Sequence, residues 1–178
     1  MSSHRESNRR VCSHRVLLLA AACVTVPFTT VAAQATDSIV FRGSGGPISS
    51  NVTVPANRGW FITSGTVAPV ADSTAAAGTR ARFGDTKTQG MGILRQIQRQ
   101  LAGEGLTLKD VIMLRVYVAP DPQKGGQFDF QGWFDAYAEF FARPDNPTRV
   151  TRSTVGVAGL VRPEFLIEIE AVAVYPKK

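Results

Sequence analysis

Beyond residue 35 this 178-residue chain contains no cysteine and no histidine. Both cysteines (Cys12, Cys23) and both histidines (His4, His14) stand in its first segment. The remainder can form no disulfide, no Cys or His zinc site and no Ser-His-Asp or Cys-His nucleophile pair. Chemistry there falls to Arg, Lys, Asp, Glu, Tyr, hydroxyls and main-chain groups. Dense basic runs are missing as well. The formal net charge is +6, but the first segment holds Arg5, Arg9, Arg10 and Arg15 against Glu6 alone. Sixteen Lys/Arg then face thirteen Asp/Glu in the remainder, without a cluster. Nucleic acid and membrane surfaces find little electrostatic hold on such a chain, and neither is expected as a partner.

The first segment has its own logic. A basic stretch, "MSSHRESNRRVCSHR", precedes an apolar one, "VLLLAAACVTVPFTTVAAQA", that ends in small residues at Ala33-Gln34-Ala35. These are the marks of a secretory signal peptide over residues 1–35, removed on export to a periplasmic or secreted location. The alternative is an uncleaved anchor. Pro27 and the Thr29-Thr30 pair interrupt the apolar run, which disfavours a stable membrane span. Arg9-Arg10 weakly resembles a twin-arginine pair, and Leu19 to Cys23 weakly resembles a lipoprotein box.

Residues 36–58 are rich in Gly, Ser and Pro and read as loop with short extended pieces. They include a glycosylation sequon, Asn51-Val52-Thr53. Residues 59–178 read as one domain. "GWFITSG" is a short strand, and residues 66–85 form a small-residue surface connection, long for a structureless loop. From Thr86 the apolar residues Ile93, Leu94, Ile97 and Leu101 share a helical face, closed by Gly103 and Gly105. "DVIMLRVYVAP" is a central strand stopped by Pro120. Asp129 caps a second helix carrying Trp133, Phe134, Tyr137, Phe140 and Phe141, aromatics that serve first as core. The order strand, helix, strand, helix, strand, strand predicts an α+β layer, one sheet with two helices on one face. In the last strand apolar residues fall on both sides, so the helix-free face is expected to be buried against another subunit.

The final two strands, Thr151 to Tyr175 with a turn at Ala158–Pro163, raise the functional question. Arg152 interrupts the first, and Glu168 and Glu170 interrupt the second. Charges on a largely buried strand cost free energy unless partnered. Either they pair with each other, or a ligand completes them. Lys109, Asp110 and Arg115 read as solvated or edge charges.

Here "TRSTVGVAGL" followed by "PEFLIEIEAVAV", with "FITSG", "LKDVIMLRVYV" and "YAEFF" in matching order, resembles the Rid family (RidA/YjgF/YER057c/UK114, endoribonuclease L-PSP-like) from about Gly46 to Tyr175. The resemblance implies a chorismate-mutase-like α+β fold with a mixed sheet, a homotrimer with clefts between subunits, and no cofactor or metal. It implies hydrolysis of reactive enamine/imine intermediates to 2-keto acids and ammonia. Arg152 matches the arginine that grips the substrate carboxylate, a task suited to a planar guanidinium fork. Glu168 matches the acid that positions or activates water, and Thr154 the position whose main chain faces substrate. Ile48 replaces a tyrosine that lines the cleft, and Phe134 replaces an asparagine. Thr154 and Gly156 stand where deaminating members often have Cys and Glu. These departures point to a changed, more apolar pocket. They support a second reading, a non-catalytic trimer that binds small carboxylates or protein partners. Ribonuclease activity ranks last, for want of a histidine acid/base or basic patch.

Overall fold

The computed structural model describes residues 37–43 and 45–177, and residues Ala35–Lys178 form one compact unit. The predicted leader, with its cysteines and histidines, lies outside the described residues. Among those described, no helix is long and apolar enough to cross a membrane.

The chain opens with an antiparallel hairpin, β1 (Val40–Arg42) and β2 (Asn51–Thr53). Strand β3 (Trp60–Ile62) and the two-residue β4 (Thr66–Val67) follow. Helix α1 (Thr86–Gly103) leads into β5 (Val111–Val118). A small hairpin, β6 (Pro120–Asp121) and β7 (Gln127–Phe128), leads into helix α2 (Phe130–Ala138). Strands β8 (Thr151–Gly156) and β9 (Ile167–Val174) complete the fold.

Helix α1 forms where its periodicity places it. The side chain of Asp85 accepts the Thr88 amide at 2.8 Å and satisfies a free donor of the first turn. Ile93, Leu94, Ile97 and Leu101 are fully buried, each stabilising the fold by roughly 2 kcal/mol through removal of apolar surface from water. Gly90 is no flaw in this helix. A Cβ there would stand 3.1 Å from the Ala136 Cβ, so the glycine lets α1 approach α2 closely. Asp129 caps α2 as expected, accepting the Gly132 amide at 3.1 Å.

The main sheet runs β3-β9-β5-β8, with β4 pairing the far end of β9. It is mixed: β5 and β8 are parallel, and the other pairs antiparallel. The expected short turn at Ala158–Pro163 is part of a longer crossover, and β8 and β9 are not neighbours in the sheet. Strand β5 lies between them, and residues 157–166 cross its end. Val157 N–H donates to the Val118 carbonyl at 2.9 Å, and Ala119 N–H to the Leu166 carbonyl at 2.9 Å. The crossover thus stays hydrogen-bonded where it leaves the sheet, as buried backbone requires.

Both helices cover one face, packing on Leu114, Val116, Val118, Ile167, Ile169, Ala171 and Ala173. The other face, expected from sequence to be buried against a second subunit, is partly covered by the chain itself. Its Val172/Val174 end, with Ile112 and Met113, is covered from within the chain by Ile39 and Phe41 before and within β1 and by Val52 and Val54 of and after β2. The residues read as loop therefore form a lid on half of that face. At the edge of the same face Trp60 and Ile62, paired with Val174 and Val172, stay 53% and 65% exposed.

The connection over 66–85 is also more ordered than its composition suggests. It contains β4 and a single 3-10 turn at Arg80–Arg82. Ala71 and Asp72 both donate their amides to the Arg82 carbonyl. Arg80 pairs with the fully buried Asp121 at 2.6 Å, a link the sequence does not announce.

Candidate functional site

The parallel register of β5 and β8 decides where the predicted site residues point. Leu114 stands opposite Arg152 and Val116 opposite Thr154. Leu114 and Val116 face the helices, so Arg152 and Thr154 do too. On the antiparallel side, Tyr117 stands opposite Glu168 and Arg115 opposite Glu170. The glutamates therefore lie on the helix-free face.

The inward position brings Arg152 under α2. Its guanidinium carbon lies 4.5 Å from the centre of the Tyr137 ring, 5.0 Å from Phe134 and 5.5 Å from Trp133. Such an aromatic box supports a cation through the negative faces of the rings. It does not replace hydrogen bonds. Nη1 is buried without a partner, and among the described residues no carboxylate pairs with Arg152. Burial accordingly pulls its pKa below the ordinary arginine value, and Tyr137 offsets this only in part. The intrachain ion pair with Glu168 or Glu170, open from sequence, is not formed. Glu170 instead pairs with Arg115 at 2.9 Å and accepts from the Tyr117 hydroxyl at 3.2 Å.

Arg152 forms the charged wall of a pocket of about 320 Å³ lined by Pro47, Phe134, Tyr137, Ala138, Phe141 and Ala142. The Tyr137 hydroxyl donates to the Pro47 carbonyl at 3.0 Å. Burial pushes its pKa up to about 12, so the phenol stays neutral. Phe134, singled out for its position in the sequence, is part of this pocket and 39% exposed. Trp133 and Tyr137 complete the box around the cation, a role that helical spacing alone does not separate from core packing.

The other predicted residues fall elsewhere within the protomer. Ile48 does not line this pocket; it packs against the helix-side core, while its neighbour Pro47 reaches the pocket. Thr154 sits one pleat from Arg152 on the same face, and its Oγ1 is buried without a partner. Glu168 is half-buried across the sheet, its carboxylate laid against the backbone of Gly65. A Cβ at Gly65 would meet Glu168 Oε1 at 1.7 Å, so that position must be glycine for the carboxylate to rest there. Among the described residues, no three His, Cys, Asp or Glu side chains converge as a metal site.

Comparison with known proteins agrees with this architecture. The structure of TdcF from E. coli with bound serine is 28% identical, with a TM-score of 0.51 over 76% of this chain and 94% of that one. The YjgF gene product from E. coli is 29% identical, with a TM-score of 0.50 over 69% of this chain and 85% of that one. The Rid-family protein YyfB from Yersinia pestis, at 24% identity, shares the fold, with a TM-score of 0.57 over 78% of this chain and 98% of that one. No curated protein matches the chain. Residues 46–175 match the family model described as endoribonuclease L-PSP, and with these neighbours they show that the chain belongs to the YjgF/Rid family, with its chorismate-mutase-like α+β fold.

Proposed function

We propose that this protein hydrolyses enamine/imine intermediates of 2-amino acids to 2-keto acids and ammonia. The single observation that carries the reading is Arg152: a partly buried guanidinium without a carboxylate, set in the wall of a small pocket. A ligand carboxylate supplies the missing anion. The serine bound to E. coli TdcF is consistent with a small carboxylate-bearing molecule at a relative's site.

In the reaction, water adds to the imine carbon, the C–N bond breaks, and nitrogen leaves as ammonia while oxygen remains as the ketone. Arg152 fixes the carboxylate, and Glu168 orients the water, takes its proton as it adds and returns that proton to the departing nitrogen. Because Glu168 lies across the sheet from Arg152, the proposed site joins Arg152 of one copy to Glu168 of another, in a homotrimer. We place the protein outside the cytosol, after loss of residues 1–35.

The same separation favours one competing reading, a carboxylate-binding protein without catalysis. Hydrolysis of freshly generated imino acids separates the two. The purified protein is expected to release ammonia and 2-keto acid, and Arg152→Ala of the same oligomeric state to lose that activity. Absence of hydrolysis over several side-chain sizes leaves the binding reading in its place.

A further inference from the structure

We infer that the pocket beside Arg152 selects 2-imino and 2-oxo acids with a bulky apolar side chain, aromatic or branched, and that Phe134 is the residue that sets this preference. The inference rests on the reading of Arg152 as the carboxylate clamp and adds the identity of what the clamp holds.

The argument is one of unmet hydrogen bonds. Apart from Arg152, the lining residues Pro47, Phe134, Tyr137, Ala138, Phe141 and Ala142 offer hydrocarbon and rings. Proline has no N–H, and the Pro47 carbonyl already accepts from the Tyr137 hydroxyl at 3.0 Å. The proton of that hydroxyl is thereby committed, and its pKa of about 12 keeps the phenol neutral. Within the protomer, a hydroxyl, amide or second carboxylate on the ligand's side chain would lose its water here and find no side-chain donor beyond the guanidinium that the ligand's own carboxylate occupies. An apolar side chain forfeits nothing and gains burial.

The walls also leave room for it. A pocket of about 320 Å³ stands near the lower end for small-molecule sites, ample for a ligand of roughly a dozen heavy atoms. Ala138 and Ala142 are small and leave this volume open. Phe134 keeps 39% of its surface exposed while its ring also lies 5.0 Å from the guanidinium carbon. An aromatic face presented beside the clamp is completed by an apolar group attached two bonds from the carboxylate. A methyl group, as in the smallest substrates, leaves most of the pocket unfilled.

Equilibrium binding of stable 2-oxo acids to the intact assembled protein tests this by calorimetry, apart from any turnover. The probes are phenylpyruvate, 4-methyl-2-oxopentanoate, pyruvate and 2-oxoglutarate. The two bulky apolar acids are expected to bind about ten-fold or more tighter than pyruvate, with 2-oxoglutarate weakest. Phe134→Asn is expected to shrink that advantage to within about three-fold, while Arg152→Ala weakens all four alike. Ala138→Leu, which fills the pocket from an exposed helix position, is expected to remove the advantage of phenylpyruvate if Phe134→Asn does not fold. A flat ranking, a preference for 2-oxoglutarate, or no binding of any probe overturns the inference. Imine hydrolysis is followed separately on the same side chains. Loss of hydrolysis with the ranking intact overturns the proposed activity and keeps the selectivity; hydrolysis with a flat ranking does the reverse.

Discussion

Arg152 and Glu168 stand on opposite faces of one sheet, with β5 between their strands. Each half of the proposed site is present in a protomer, and the protomer holds them apart. If two copies share a site, two inactive variants can repair each other. Arg152→Ala and Glu168→Ala are each expected to be inactive alone. Unfolded together and refolded as randomly mixed oligomers, they should recover about a quarter of the wild-type sites. Recovery no greater than the sum of the separate variants places both groups' roles within one copy, or removes Glu168 from the reaction.

The same arginine is held at a cost to the fold. Its burial is opposed by desolvation, since no carboxylate repays it. The aromatic box returns part of this, on the order of 1 kcal/mol. Arg152→Met is therefore expected to be as stable as the wild type, within about 1 kcal/mol, while losing carboxylate binding. Chemical denaturation beside ligand titration checks both. A loss of several kcal/mol would show Arg152 to be a structural group.

Gly65 acts through its missing side chain. Gly65→Ala places a Cβ in the space of the Glu168 carboxylate, which must swing away. Only the end of a flexible side chain moves, so stability should change by less than about 1 kcal/mol. Hydrolysis should fall to the level of Glu168→Gln while 2-oxo acid binding at Arg152 remains. Unchanged hydrolysis would remove Glu168, in this position, from the mechanism.

Tyr137 links the pocket to alkaline stability. Its folded pKa, about 12, lies above the ordinary phenol value near 10. The stability it contributes is complete below pH 10 and is lost as pH rises from there through about 12. Denaturation midpoints measured from pH 9 to 12 should fall in the wild type. Tyr137→Phe should start roughly 1 kcal/mol lower, having lost the hydrogen bond to Pro47, and show a shallower decline. Equal slopes would mean that this phenol is not the group involved.

Ala142, at the rim of the pocket, adopts φ 56°, a left-handed conformation that suits glycine better than alanine. Ala142→Gly is expected to relieve strain against the extra freedom it gives the unfolded chain, for a gain of up to about 1 kcal/mol. Thermal unfolding measures it. A destabilised variant would show that the methyl group's packing outweighs the strain.

Local pattern made much of this fold readable. Ile93, Leu94, Ile97 and Leu101 repeat at the helical period, and Asp129 stands where a cap should. The apolar run around Leu114 and Val116 is that of a strand covered on its helix side. Strand order was not readable in this way. Nothing in the turn after β8 says that β5 lies between β8 and β9, because such pairing is settled by non-local hydrogen bonds. The Arg80–Asp121 pair joins residues 41 apart for the same reason. The site was legible in its chemistry and not in its facing. Arg152 and Phe134 converge as their types suggest. Alternation could not tell that Arg152, Thr154 and Gly156 point inward, because they are the more polar set of β8. Resemblance assigns Ile48 and Glu168 to the cleft; within a protomer Ile48 packs partly buried against the core and Glu168 lies across the sheet from Arg152.

The Asp37 carboxylate, three residues before β1, is ion-paired to the Lys177 ammonium just beyond β9. The two ends of the described chain are thus neighbours. A short peptide could join them and the chain could be reopened at Gly78, an exposed glycine with φ 72° and open space around it. Such a circular permutant would keep every strand pairing and the Arg152 box. It would also carry a free amino terminus in the connection between β4 and α1 instead of before the hairpin lid, a place from which a fused partner could be displayed without disturbing the sheet.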